Sequence, residues 1–194
     1  MNDEIFKDKN LNKNYELKDL SAFQNPSLYL VGFMGSGKTF IGERLAKTLL
    51  YDFIDADAFL EKKTGQSITE IFEKNGEHYF RELEHTILCE LKEKHGCIIS
   101  TGGGAPCFYD NMEIMNANGI TFYLKVRPDI IVKRISEQRS HRPLLKNFED
   151  DDEFLVFVKN KIAERGKFYS QARFIIDADG NIEEIINKII KLVG

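Results

Sequence analysis

Gly32-Phe33-Met34-Gly35-Ser36-Gly37-Lys38-Thr39 decides how the rest of the chain is read. It fits G-x-x-x-x-G-K-[ST], the pattern of a phosphate-binding loop. The flanks suit it. Leu28-Tyr29-Leu30-Val31 is a short apolar, partly β-branched run that reads as a buried strand, and Ile41, Leu45, Ala46, Leu49 and Leu50 recur behind the loop at helical spacing. Strand, glycine loop and helix in that order give the pattern its meaning. In such a loop successive N–H groups turn toward one anion, and the helix N-terminus adds partial positive charge. Lys38 is expected to reach the β- and γ-phosphates of a nucleotide, and Thr39 to offer its hydroxyl to Mg²⁺. A phosphate loop alone leaves the phosphoryl acceptor open.

The chain has 194 residues, 42% apolar and 30% charged, with a net charge of −4, which predicts one soluble globular domain. No basic stripe argues for a nucleic-acid or anionic-membrane partner, and no apolar run approaches a membrane span. Cys89, Cys97 and Cys107 form no C-x-x-C and read as reduced thiols of a cytoplasmic protein. Residues 1–26 are rich in Asn, Lys, Asp and Glu, lack the apolar core of a secretory signal, and precede the first arginine, Arg44. They read as a mobile extension with a short helix over Tyr15–Phe23, ending at Pro26.

Beyond the loop, strands are expected at Phe53-Ile54, Cys97–Ser100, Ile120–Lys125 and Phe174–Ile176. Helices are expected over 67–94 with a break at Asn75-Gly76, from Pro128 to Gln138, over 153–172, and over the stripe Ile182, Ile185, Ile186, Ile189, Ile190 and Leu192. Ligands of open α/β sheets sit at the carboxyl ends of the strands, where Asp55 and Asp57 fall. One can order Mg²⁺ and the other accept a proton from an attacking hydroxyl, while Asp57 also suits the N-cap of the next helix. Ser100-Thr101 stands where a common phosphate-loop arrangement has an acid, which shifts the metal role toward Asp55.

Arg81, among Glu77, Glu82 and Glu84, reads either as a solvated helical ion pair or as a bidentate clamp on a substrate carboxylate. Gly102-Gly103-Gly104 lets a ligand approach the backbone, or simply turns the chain. Arg127, Lys133, Arg134, Arg139 and Arg142 make either a solvated face or, beside a nucleotide, a lid. The acids at 149–153 read as linker plus helix N-terminus, and Asp177-Ala178-Asp179-Gly180 as a strand-to-helix turn. The four histidines form no evident ligand pair.

Together these stretches resemble the shikimate kinases over nearly the whole chain from about residue 28. The resemblance is carried by Gly32–Thr39, Phe-Ile-Asp-Ala-Asp at 53–57, Glu-Ile-Phe at 70–72, Gly76-Glu77, Phe80-Arg81 with Glu84, Thr-Gly-Gly-Gly-Ala at 101–105, Arg-Pro-Leu-Leu at 142–145, and Arg165 with Tyr169. It implies a three-layer α/β/α P-loop kinase fold with a five-stranded parallel sheet, a lid near 138–152 and a helical substrate-binding subdomain within 27–194. It also implies transfer of the ATP γ-phosphate to the shikimate 3-hydroxyl, in the route to chorismate and the aromatic amino acids, by a monomer. Lys38, Asp57 and Arg142 would be catalytic. ATP would lie on Gly35, Ser36, Gly37, Lys38, Thr39 and Phe40 with Arg134 and Arg142, its adenine bordered by the turn near Gly180-Asn181. Shikimate would meet Asp57, Arg81, Gly102, Gly103, Gly104 and Arg165, and Mg²⁺ would meet Thr39 and Asp55. A kinase of another sugar acid such as gluconate, or a catalytically silent nucleotide-binding regulator, are the competing readings.

Overall fold

A computed structural model of the chain describes residues 25–136, 148 and 150–193. Among these residues five strands alternate with seven α-helices: β1 (Ser27–Val31), α1 (Lys38–Leu49), β2 (Asp52–Asp55), α2 (Ala56–Thr64), α3 (Ile68–Leu91), β3 (Cys97–Ser100), α4 (Asn111–Asn118), β4 (Gly119–Lys125), α5 (Pro128–Ser136), α6 (Asp151–Tyr169), β5 (Phe174–Asp177) and α7 (Ile182–Val193). A short 3₁₀ turn, Ala105–Cys107, follows the glycines after β3. The strands form one sheet in the order β2-β3-β1-β4-β5, and every neighbouring pair is parallel.

A parallel sheet is covered on both faces, which is why its strands read as continuous apolar runs. In β1 the period of two sends Leu28 and Leu30 to one face and Tyr29 and Val31 to the other. The first face packs against Ile41 and Leu45 of α1, Ile131 and Ile135 of α5, Phe154 and Val158 of α6, and Ile185 and Ile189 of α7. The second packs against Leu60 of α2, Ile71, Phe80 and Leu88 of α3, and Met112 and Met115 of α4. These two apolar layers make the expected three-layer α/β/α architecture.

All five strands fall where the sequence places them. The expected break in α3 is a single non-helical residue, Gly76, at φ 80° and ψ 176°. α3 opens with a capping box: Ser67 Oγ accepts from the Glu70 N–H and Glu70 Oε2 accepts from the Ser67 N–H, at 3.2 and 2.9 Å. α6 lies two to three residues earlier than expected, because Asp150 caps it by accepting from the Glu153 N–H. α4 was not legible: it is short and holds three asparagines, poor helix formers. Its Asn116 explains its place. Asn116 Oδ1 accepts from the Thr121 hydroxyl at 2.5 Å, and its amide donates to the Gln171 carbonyl at 2.9 Å, so α4 is tied to β4 and to the end of α6.

At the start of β1, the Asn25 carbonyl accepts from the Gly96 N–H at 2.9 Å. The expected extension up to residue 24, its helix over Tyr15–Phe23, and nearly all of the expected lid, including Arg139 and Arg142, lie outside the described residues. No helix among the described residues is long and apolar enough to cross a membrane.

The β1–β4 pair depends on a residue without a side chain. A Cβ on Gly119 would stand 2.3 Å from the Ser27 carbonyl oxygen and 2.8 Å from the Tyr29 ring, whereas a Cβ on Gly166 of α6 would meet nothing within 4 Å. Gly119→Ala is therefore expected to destabilise the fold by about 3 kcal/mol through overpacking against backbone. Gly166→Ala is expected to stabilise it by about 0.5–1 kcal/mol through helix propensity. Urea unfolding of both variants checks the pair; equal midpoints would contradict the packing described for β1 and β4.

Candidate active site

The parallel strands bring their carboxyl ends, and the loops that follow them, to one edge of the sheet. β1 runs directly into the glycine loop, and Lys38 sits at the first position of α1, only 8% exposed. Its ammonium donates to the Gly32 and Phe33 carbonyls at 2.9 and 3.0 Å. The N-cap is Gly37, with no side-chain cap, and no acid occupies the first turn of α1. The first N–H groups of that helix are thus left to face an anion.

Beside the loop lies a cavity of about 500 Å³, lined by Gly35 to Ile41, Arg134, Ala178, Gly180, Ile182 and Ile185. Arg134 donates to the Gly35 and Ala178 carbonyls at 3.5 and 3.2 Å, bridging the glycine loop and the turn after β5. Phe40 stands at the rim, half exposed, with the Arg44 guanidinium 4.8 Å above its ring. Asp179, in the expected strand-to-helix turn, accepts from the Arg127 N–H at 2.7 Å and pairs with its guanidinium at 3.1 Å. Of the basic run, then, Arg134 lines this cavity, while Arg127 braces the turn after β5 from outside it.

At the end of β2 one expectation needs correcting. The N-cap of α2 is Asp55, not Asp57: its Oδ1 accepts from the Asp57 and Ala58 N–H groups at 3.1 and 3.2 Å. Its other oxygen accepts from the Thr39 hydroxyl at 2.9 Å. A hydroxyl and a carboxylate this close are hard oxygen donors of the kind Mg²⁺ takes alongside phosphate and water, so the pair fits that ion. Among the described residues no three His, Cys, Asp or Glu side chains gather as a larger metal site.

Asp57, freed from capping, points toward the glycine turn after β3. Burial raises its pKa, with the Asp55 charge adding and Lys38 and Arg81 opposing. A Cβ on Gly102 would be 2.7 Å from Asp57 Oδ1 and 2.6 Å from Glu84 Oε1; one on Gly104 would be 2.6 Å from Arg81 Nη1. Only glycines let the turn pass this close to three charged groups.

Arg81 is 8% exposed, so of its two readings the solvated ion pair fails. Its Nη1 is bonded to Glu84, and its Nε and Nη2 donate to Glu77 at 3.2 and 2.9 Å. The Phe80 and Phe108 rings flank the guanidinium at 5.0 and 4.4 Å. Arg165 reaches the same turn from α6: its Nη1 donates to the Gly103 carbonyl at 3.4 Å, which also accepts from the Tyr169 hydroxyl at 2.6 Å, and it lies over the Phe33 ring at 5.6 Å. The two arginines therefore converge on Gly103-Gly104, across from the loop that carries Lys38.

Two participants carried no role in the sequence reading. Glu84 is 5% exposed, and burial pushes its carboxyl up to about 7, with Asp57 adding and Arg81 opposing. The sequence signal was available: Glu84 lies three residues from Arg81 and on the face that carries Phe80, Ile87 and Leu88. Phe108 had no such signal, because it reaches Arg81 from a different element. Arg142 lies outside the described residues, so its expected meeting with the phosphates is not part of this geometry.

Comparison with known proteins shows the family of this chain. The shikimate kinase family profile matches residues 34–193. The shikimate kinase of Bacteroides thetaiotaomicron is 43% identical over 152 residues, 78% of this chain and 86% of that protein. A crystal structure of shikimate kinase from the same organism superposes with a TM-score of 0.83 at 40% identity, covering 87% of this chain and 98% of that one. The Acinetobacter baumannii shikimate kinase, solved in complex with shikimate, gives a TM-score of 0.77 at 34% identity, covering 90% and 96%. A match of this extent, falling on a phosphate loop that faces two convergent arginines, makes the chain a member of the shikimate kinase family.

Proposed function

We propose that this chain transfers the γ-phosphoryl group of ATP to the 3-hydroxyl of shikimate, forming shikimate 3-phosphate and ADP, in the route to chorismate and the aromatic amino acids. The observation that carries the reading is the convergence of Arg81 and Arg165 on the Gly103-Gly104 turn, with Asp57 between them and Lys38. Two guanidiniums in one crevice suit a carboxylate, and holding that carboxylate fixes where the ring hydroxyls fall.

In this reading ATP lies along Gly35–Phe40, its phosphates on the loop N–H groups and Lys38, its base in the cavity beside Arg134 and Gly180. Shikimate lies on Gly102–Gly104 with its carboxylate toward Arg81 and Arg165. Asp57 holds the acceptor hydroxyl and takes its proton as that oxygen bonds to the γ-phosphorus. The bond from γ-phosphorus to the bridging oxygen breaks, and ADP leaves with the electron pair. Thr39 and Asp55 would hold Mg²⁺, which when bound offsets the charge of the phosphates. The same reading assigns one kinase domain to 27–194 with an extension over 1–26. It assigns a lid near 138–152 whose Arg142 meets the transferred phosphoryl, and a monomer that works in the cytoplasm. The competing gluconate reading gives no reason for a second carboxylate-binding arginine, and the silent-regulator reading leaves the intact Lys38 and Asp57 unexplained.

ADP release tests the activity: it should depend on both shikimate and Mg²⁺, disappear with excess chelator, and not be supported by gluconate. Turnover on gluconate alone, or ATP binding without shikimate-dependent turnover, would reject the reading. Asp57→Asn is expected to lower kcat about a hundredfold or more, since the hydroxyl loses its proton acceptor; initial rates at saturating substrates measure this. Arg81→Ala is expected to raise the KM for shikimate by about 10- to 100-fold, because it removes charge-assisted bonds made in ground and transition states alike. A KM for ATP that rose equally would place Arg81 elsewhere.

A further inference from the structure

The acceptor end of the crevice carries more negative charge than a site for an anion needs. Glu84 and Asp57 both close over Gly102, at 2.6 and 2.7 Å from the point its Cβ would occupy. Between them lies a cavity of about 10 Å³, lined also by Leu60, Ile87 and Ala105, which is room for about one water molecule. Two guanidiniums offset these two carboxylates. Glu77, the other partner of Arg81, is 58% exposed and answers mainly to solvent, while the Lys38 ammonium, which also faces Asp57, is bonded to two carbonyls of its own loop and meets the nucleotide phosphates in the reading above. A substrate carboxylate then brings a third anion into the site with no added cation.

We propose that Glu84 takes up a proton when the carboxylate substrate binds, and so passes the inner nitrogen of Arg81 from its own carboxylate to that of the substrate. The proposal rests on the reading of the site as one for shikimate. Glu84 qualifies by place: it is more buried than Asp57, and it occupies Nη1, the arginine nitrogen nearest the glycine turn. The charged or titratable groups facing it are Arg81 on its own helix, Asp57 on α2, Arg165 on α6, and the Cys107 thiol beyond the glycines. Burial already holds the Glu84 carboxyl near 7, so protonation costs little at neutral pH, and a new anion alongside moves it further in the same direction. Once protonated, Glu84 can donate to a water in the small cavity that it lines with Asp57, so no buried donor is stranded.

The sign follows. Below about pH 7 Glu84 already carries its proton in the free enzyme, so binding takes up none and shikimate affinity is level. Above that pH each binding event takes up a proton, and affinity falls by about tenfold per pH unit until the carboxyl titrates in the complex as well. Calorimetric titration of shikimate into the intact enzyme at about pH 8, in two buffers of different ionisation heat, reads the proton count directly. Uptake of about half a proton or more per shikimate is expected for the wild type. Glu84→Gln is expected to take up close to none and to lose the fall in affinity above neutrality. Wild-type binding without proton exchange would overturn the proposal with no variant needed, and so would uptake that persists in Glu84→Gln. A wild-type enzyme that neither binds shikimate nor releases ADP in its presence would instead sink the assignment of the substrate, and this proposal with it.

Discussion

The donor end of the crevice depends on one ammonium held against its own backbone. Lys38 is buried at the head of α1 and bonded to two carbonyls that leave β1, so the loop between them is drawn into a ring around the charge. That ring sits on the central strand, paired on both sides by β3 and β4. The loop is therefore not free to choose its shape. The sheet sets one end, the uncapped start of α1 sets the other, and Arg134 braces the outside through the Gly35 carbonyl. A phosphate arriving there meets dipoles already aimed, which is the condition under which electrostatic stabilisation is large.

The acceptor end is built on the opposite plan. Its shape comes from side chains converging on a turn without side chains. Arg81 is fixed in its plane by Glu77 and Glu84 and flanked by two aromatic rings, so little rotamer freedom remains to be lost on binding. Arg165 is steadied by the Phe33 ring and by the Gly103 carbonyl, which Tyr169 also grips from one turn further along α6. Asp55 links the two ends. One of its oxygens starts α2 and the other takes the Thr39 hydroxyl, leaving the neighbouring Asp57 to face the crevice.

Most of the fold was legible because buried parallel strands announce themselves as apolar runs and amphipathic helices as stripes. The phosphate loop was legible because its chemistry is local: eight consecutive residues carry it. What failed was whatever depends on distant partners. Asp55 and Asp57 are equally good caps by composition, and only the point where β2 ends decides between them. Arg81 looks solvated among its acids until α3 is seen to press that face into the second core layer. The Arg127–Asp179 clamp spans 52 residues, and Phe108 reaches Arg81 from beyond the glycine turn. Spacing within one element gives no warning of such contacts.

The strand order has a consequence for ancestry. The two ends of the crevice are built by different parts of the chain. β1–α1, α5 and the turn after β5 frame one, while α2, α3, the turn after β3 and the far part of α6 frame the other. The two sets meet at Asp55 and at the Arg165–Phe33 contact, so changes elsewhere in the second set act on one end of the crevice. A lineage built on this scaffold can thus change which alcohol it phosphorylates by drift at the few side chains that converge on the glycine turn, keeping the costly phosphate machinery as an inherited constant.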